Sequence, residues 1–237
     1  MDRPATSPPW TSPRGREDGV CDQLLRPHQA YAAAYIDEII IHSTSWDVHL
    51  RQLRAVLGEL RKAGHPAKCC LGLEEMAYLG YQVGQGNVRP QESKVAAIRD
   101  WPRPTSKKQV KSFLGLVGYY QRFIPGFATL ASPLNDLTRK ALPDRVTWSE
   151  AVGRAFGHLR RALCSEPVLI TPDFSLSLLV HTDASEVGLG AVLSQVQGGE
   201  EHPVMYVSRK LLPNEKNYST VEKEALAIKW ALDKLRY

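Results

Sequence analysis

The sequence predicts an α+β fold made of three kinds of segment. A short β-hairpin is expected from Ala32 to Ile41, turning at Asp37-Glu38. Residues 91–165 carry a run of amphipathic helices. The last third holds three strands followed by one long helix. Strands and helices grouped in blocks, rather than alternating, point to α+β packing.

The 237 residues are enough for one large or two small domains, and 43% hydrophobic with 23% charged residues is ordinary for a globular chain. The net charge of +5 favours a polyanionic partner without requiring one. Cys21, Cys69, Cys70 and Cys164 complete no zinc-binding spacing and read as reduced thiols of an intracellular protein. No apolar run reaches 18 residues, so no membrane span is predicted, and the N-terminus lacks the apolar core of a secretory signal.

Residues 1–25, with Pro4, Pro8, Pro9 and Pro13 among Ser, Thr, Gly and Arg, are expected to be disordered. After the hairpin, Leu50, Leu53, Leu57 and Leu60 recur at helical spacing, with Ser45 or Asp47 as cap and Gly64 as terminator. Ala77 to Val83 is a short apolar element, expected to belong to a hairpin turning near Gly86-Asn87. Val95 and Ile98 mark one helix, stopped by Pro102 and Pro104. Val110, Phe113, Leu114 and Val117 mark the next, capped by Thr105 or Ser106. Val152, Phe156 and Leu159 mark a third, from about Ser149 to Leu163. Strands are expected at Leu176–Thr182, Ala191–Gln195 and Val204–Ser208, with a closing helix at Thr220–Leu235.

Carboxylates carry the chemistry. Tyr35-Ile36-Asp37-Glu38-Ile39-Ile40-Ile41 places two acids at a tight turn between strands, the way a polymerase palm presents carboxylates to metal ions. Asp183 ends a strand. The apolar stripe of the last helix reads as Val221, Ala225, Ile228, Leu232 and Leu235, which puts Glu224 about 60° and Glu222 about 100° from its centre at roughly 100° per residue. An Asp on a strand and a Glu on a packed helix suit Mg²⁺, a hard cation with oxygen ligands.

This constellation resembles the ribonuclease H fold. His181-Thr182-Asp183-Ala184-Ser185, Gly188 to Gln195, Tyr206 to Leu211 and Glu222 to Ile228 follow one another as in the polyproteins of gypsy-type retrotransposons. The upstream chain resembles their reverse transcriptase: Tyr35 to Glu38 the polymerase turn, Tyr78-Leu79-Gly80-Tyr81 the primer grip, Phe113 to Ile124 the thumb, and Pro167 to Phe174 the tether. The resemblance implies a partial palm at 26–90, a helical thumb at 91–165 and the start of an incomplete, mixed-sheet ribonuclease H-like domain at 166–237. It makes Asp183 and Glu224 metal-binding carboxylates, with Mg²⁺, or Mn²⁺ in its place, as cofactor. Asp37 becomes a polymerase metal ligand. Glu38 stands where a second Asp is expected, its carboxylate displaced by about 1 Å. Tyr78, Leu79, Gly80 and Tyr81 with Lys107, Lys108, Lys111 and Arg122 become contacts to an RNA–DNA hybrid or primer–template duplex.

Against the family pattern the fingers and the first palm carboxylate are missing, and the strand carrying the third ribonuclease H acid lies past Tyr237. Both sites are thus expected to be incomplete and activity impaired. The competing readings are a non-catalytic nucleic-acid-binding remnant and an inactive truncated product with an open sheet edge. For Phe113, Tyr119 and Tyr120, core packing outweighs base stacking. A solvated helix face is as good a reading of the lysines as phosphate binding.

Overall fold

A computed structural model describes residues 20–35, 38–43, 45–64, 70–165 and 167–236. The chain divides into two compact units, residues 1–74 and 75–237. The division falls inside the stretch 26–90 that the sequence reading treats as one palm segment, because the strands after Glu74 pair with elements further along the chain.

In the first unit, helix α1 (Val20–Leu25) and a 3₁₀ turn at Arg26–His28 lead into the antiparallel hairpin β1 (Ala32–Tyr35) and β2 (Glu38–Ile41), with Ala32 opposite Ile41 and Tyr35 opposite Glu38. The expected disorder over 1–25 therefore does not extend to α1, whose Leu25 is buried with Ala32, Ala34, Val56 and Leu60. Helix α2 (Trp46–Lys62) starts where the Ser45 hydroxyl accepts the Val48 N–H, and Gly64 follows it with φ +69°. Its buried line runs through Val56 and Leu60, while Leu50 is exposed.

The second unit opens with the meander β3 (Glu75–Tyr78), β4 (Tyr81–Gly84) and β5 (Asn87–Pro90). Ala77 to Val83 is thus two strands rather than one element. Leu79 and Gly80, at φ +49° and +75°, make a two-residue turn between them, and Gln85-Gly86 makes the next. Helices α3 (Glu92–Arg99), α4 (Lys107–Tyr119), α5 (Phe127–Leu130), α6 (Ser132–Leu137) and α7 (Glu150–Cys164) enclose a core in which Phe113, Leu134 and Leu159 are fully buried and Phe113 meets Phe156 at 4.6 Å. Ser106 caps α4 and Ser149 caps α7. The short strand β6 (Leu169–Ile170) then pairs with β5, and Leu169 joins the same core.

The last sheet is β7 (Leu178–Ala184), β8 (Gly188–Gln197) and β9 (Glu200–Lys210), in that order. The expected mixed sheet is wholly antiparallel among the described strands, because each pair is joined by a short hairpin connection. The β8–β9 register slips at Leu193/Ser194, where Pro203 has no N–H to offer, so the adjacent Val204 and Met205 both turn inward. A 3₁₀ turn at Glu215–Asn217 leads to α8 (Thr220–Leu235), which carries a full capping box between Ser219 and Glu222. Glu215 is clamped by both guanidinium nitrogens of Arg209 at 2.6 and 3.0 Å, which, with the Leu212 N–H, holds its carboxyl below the usual range.

Alternation sorts this sheet into two faces, each covered over β8 and β9. On one, Tyr206 packs into the helical core and Ser208 Oγ accepts the Ala128 N–H at 2.9 Å. There a Cβ on Gly188 would meet Thr129 Oγ1 at 2.8 Å, so only glycine permits the approach. On the other, Leu189 packs with Ala227 of α8 and Arg209 stands 5.7 Å from the Trp230 ring. The buried face of α8 is Lys223, Ala227 and Ala231, not the expected stripe: Val221, Ile228 and Leu232 are all more than half exposed. The small alanines let α8 lie close to the strands, which the larger aliphatics would prevent.

Gln195, fully buried, ties the sheet to the preceding segment. Its amide accepts the Asp173 N–H at 2.8 Å and donates to the Asp173 carbonyl at 2.7 Å. Gln195→Leu strands both backbone groups and is expected to lower stability by about 1–3 kcal/mol, read from the urea midpoint. An unchanged midpoint would show that the clamp adds nothing.

Candidate functional site

Of the acidic turn, Asp37 lies outside the described residues, and Glu38 opens β2 with an exposed side chain.

The four primer-grip residues form a tyrosine clasp. Tyr78 is buried, and the carbonyls of the Leu79-Gly80 turn accept hydroxyl protons from Tyr119 and, at 2.7 Å, from Tyr120. Tyr81 stacks on Tyr119 with centroids 5.2 Å apart and donates to the Tyr119 carbonyl at 3.2 Å. Burial pushes the Tyr120 phenol up to about 12 and that of Tyr81 higher, so both stay protonated donors at neutral pH. A Cβ at Gly80 would sit 3.3 Å from the Tyr120 oxygen. Arg122 stands 5.6 Å from the centre of the Tyr81 ring and so belongs to the clasp. Phe113 and Tyr120 are core, as expected, while Tyr119 is about half exposed at 49%.

The lysines of α4 separate. The Lys107 ammonium donates to the carbonyls of Arg139 and Leu142 and pins that loop, so it is not free for a phosphate. Lys108 and Lys111 are exposed and continue at helical spacing through Gly115 to Tyr119, with open space over Gly115.

Asp183 is exposed near the end of β7, and Glu224 is half-buried on the first turns of α8, which packs against β7. Ala184 packs in the α8-side cluster, so alternation sends Asp183 to the opposite face, beside Gly190 and Ser208. Asp183 thus leaves β7 on the face away from α8, while Glu224 is carried by α8 itself. A Cβ on Gly190 would meet only the Asp183 carbonyl, 4.0 Å away, which leaves open space next to the acid. Glu224 lies on the flank between the buried and exposed faces of α8. Glu222 is consumed by the cap, and its hydrogen bonds from Ser219 hold its carboxyl below the usual range. Neither the Asp183 nor the Glu224 carboxylate has a hydrogen bond or ion pair among the described residues. Two uncommitted carboxylates suit a hard divalent cation. No group of three or more metal-binding side chains occurs among the described residues.

Sequence reasoning missed two supports of this region. Lys223, only 5% exposed, reaches Glu186 at 2.9 Å and fastens the start of α8 to the turn just after Asp183. The signal was a lysine on the alanine face of the helix. Glu201 gathers Ser194 at 2.5 Å and His181 at 2.7 Å across the sheet, which depresses its carboxyl. That contact needs the β8–β9 register, which periodicity does not supply.

Residues 148–237 match the family described as the RNase H-like domain found in reverse transcriptase. The chain is 39% identical over 228 residues to the retrovirus-related Pol polyprotein from transposon opus of Drosophila melanogaster, a match covering 91% of the chain and 23% of that protein. It is 35% identical over 204 residues to the transposon Tf2-3 polyprotein of Schizosaccharomyces pombe, covering 84% of the chain and 15% of that polyprotein. The chain thus spans less than a quarter of these relatives. Among solved structures, the foamy viral protease-reverse transcriptase dRH in complex with double-stranded DNA superposes with a TM-score of 0.78 at 24% identity, over 90% of this chain and 38% of that one. The foamy viral protease-reverse transcriptase in complex with RNA/DNA hybrid gives 0.75 at 23% identity, over 90% and 29%. At that identity the likeness shows the fold. No helix among the described residues is long and apolar enough to cross a membrane. Residues 148–237 are thus an RNase H-like domain of the kind found in reverse transcriptase, set in a chain homologous to a segment of retrotransposon Pol polyproteins.

Proposed function

We propose that this chain contributes to hydrolysis of the RNA strand of an RNA–DNA hybrid, with Asp183 and Glu224 as two of the carboxylates that hold Mg²⁺ or Mn²⁺. The carrying observation is the pair itself: two uncommitted acids flanking β7, with Gly190 leaving room for a substrate backbone beside Asp183. A divalent ion held by these two carboxylates would supply water activation and stabilisation of the departing oxygen. The protein's part is to fix the acids: Lys223 with Glu186 anchors the start of α8, and the β7–β8 pairing sets Asp183 opposite Gly190. Asp37 and Glu38 remain candidate polymerase carboxylates, a role proposed from the family resemblance alone. With a 5′-labelled hybrid and Mg²⁺ or Mn²⁺, Asp183→Asn and Glu224→Gln are each expected to reduce cleavage about a hundredfold or more. Cleavage unaltered by Asp183→Asn would overturn the assignment.

A second reading, duplex binding without turnover, is favoured by the exposed line Lys108, Lys111, Gly115 and Tyr119 on α4, next to the tyrosine clasp. A helix face with two free lysines and an open glycine can rest against a phosphate backbone. Lys108→Glu/Lys111→Glu is expected to weaken hybrid binding and to reduce its salt slope by about 1.8, the value for two lost phosphate contacts on a duplex. An unaltered slope in a salt titration would exclude this face.

A further inference from the structure

A groove of about 960 Å³ runs along α7, between that helix and the end of α3 with the loop after it, and shares no lining residue with either site above. Its lining repeats every three to four residues from Glu150 to Cys164, a single helix face about 21 Å long. Five cations line it, Arg99, Arg103, Arg154, Arg160 and Arg161, and all are arginines. The only acid is Glu150, which Arg154 neutralises at 2.6 Å. Arg99 pairs with Glu92 outside the groove. Arg103, Arg160 and Arg161 have no carboxylate partner among the described residues.

We propose that this groove binds single-stranded nucleic acid, with the arginines on its phosphates and the stacked guanidinium planes beneath its bases. Arginine suits the task because its fork bonds phosphate oxygens bidentately while its plane stacks on rings. Two of these guanidinium groups already lie over aromatic rings. Arg103 lies 4.2 Å from the centre of the Trp148 ring, and Arg160 lies 5.4 Å from that of Phe156 while donating to the Arg99 carbonyl. The floor is made by Gly153 and Gly157, where an added Cβ would meet nothing. Two glycines inside a helix cost about 1 kcal/mol each relative to alanine, and here they lower the floor so that a chain can approach the α7 backbone. A groove whose floor is one helix face fits a single strand. A duplex would hide its bases from the stacked planes. An acidic peptide would meet the charge but leave the planes unused. The proposal extends the nucleic-acid reading of this chain to a second surface and does not depend on hydrolysis at Asp183.

The test is fluorescence anisotropy on the full chain with labelled dT20, rU20, a blunt RNA–DNA hybrid and a poly-glutamate peptide. Arg103→Glu/Arg161→Glu removes no ion pair of the fold. It is expected to weaken dT20 and rU20 binding roughly tenfold and to lower their salt slope by about 1.4, the value for two lost phosphate contacts on a single strand. Hybrid binding should stay as it was. Gly153→Leu/Gly157→Leu, which fills the floor and leaves every charge in place, should also weaken the single strands. Lys108→Glu/Lys111→Glu should act on the hybrid and spare them. Single-strand affinity and slope unaltered in the arginine variant would overturn the proposal, as would poly-glutamate binding as tightly as dT20. If hybrid cleavage fails while dT20 binding depends on Arg103 and Arg161, the hydrolytic reading falls and this one stands.

Discussion

The β8–β9 part of the last sheet is covered on both faces, and the rest of the second unit follows from that. The helical region closes one face through Tyr206, Ser208 and the glycine approach at Gly188, and α8 closes the other through Leu189, Arg209 and Trp230. The sheet therefore cannot be read as a module loosely tethered to the helices. Leu169 sits in the helical core, and Gln195 holds the Asp173 backbone, so the link between them is itself part of the packing. The same closure decides where the acids go. Asp183 leaves β7 on the helical-region side, and Glu224 approaches from the side of α8.

The sequence made much of this legible. The order of the main helices and of the last three strands, the choice of Ser45 or Asp47 and of Thr105 or Ser106 as caps, and the bounds of α8 follow from local signals: periodicity, a polar side chain before the first turn and, for α2, a glycine after the last. What it hid was decided at longer range. Leu79 at φ +49° breaks an apolar run into two strands, and Tyr119 and Tyr120, forty residues on, hold the turn carbonyls. On α8 more than half the circumference is apolar, so periodicity does not rank its faces. The sheet selects alanines for closeness and leaves the bulkier Val221, Ile228 and Leu232 outward. Glu224 lies between the two stripes, so it sits nearer the sheet than Glu222 whichever stripe is buried.

Several exposed apolar side chains of this unit fall on α8 and β7. In addition to the outward stripe of α8, Leu178, Leu179 and Val180 are exposed on β7, the edge strand of the described sheet. Unpaired edges with apolar side chains invite further pairing. The cationic surfaces lie elsewhere and divide by residue type: lysines on α4 and arginines on α7. A compact ammonium tracks a backbone as a point charge, whereas a planar guanidinium adds stacking and bidentate bonds. The two faces are therefore suited to differently exposed strands.

The most direct measurement on the proposed metal site is Mn²⁺ titration of the ¹⁵N-labelled chain followed by amide NMR, because paramagnetic broadening reports the ion's position without requiring turnover. At low Mn²⁺ the amides of Asp183, Gly190 and Glu224 should broaden first, and Asp183→Asn should abolish that selectivity. Uniform broadening across the chain, or selective broadening that survives Asp183→Asn, would contradict a metal site built on Asp183 and Glu224.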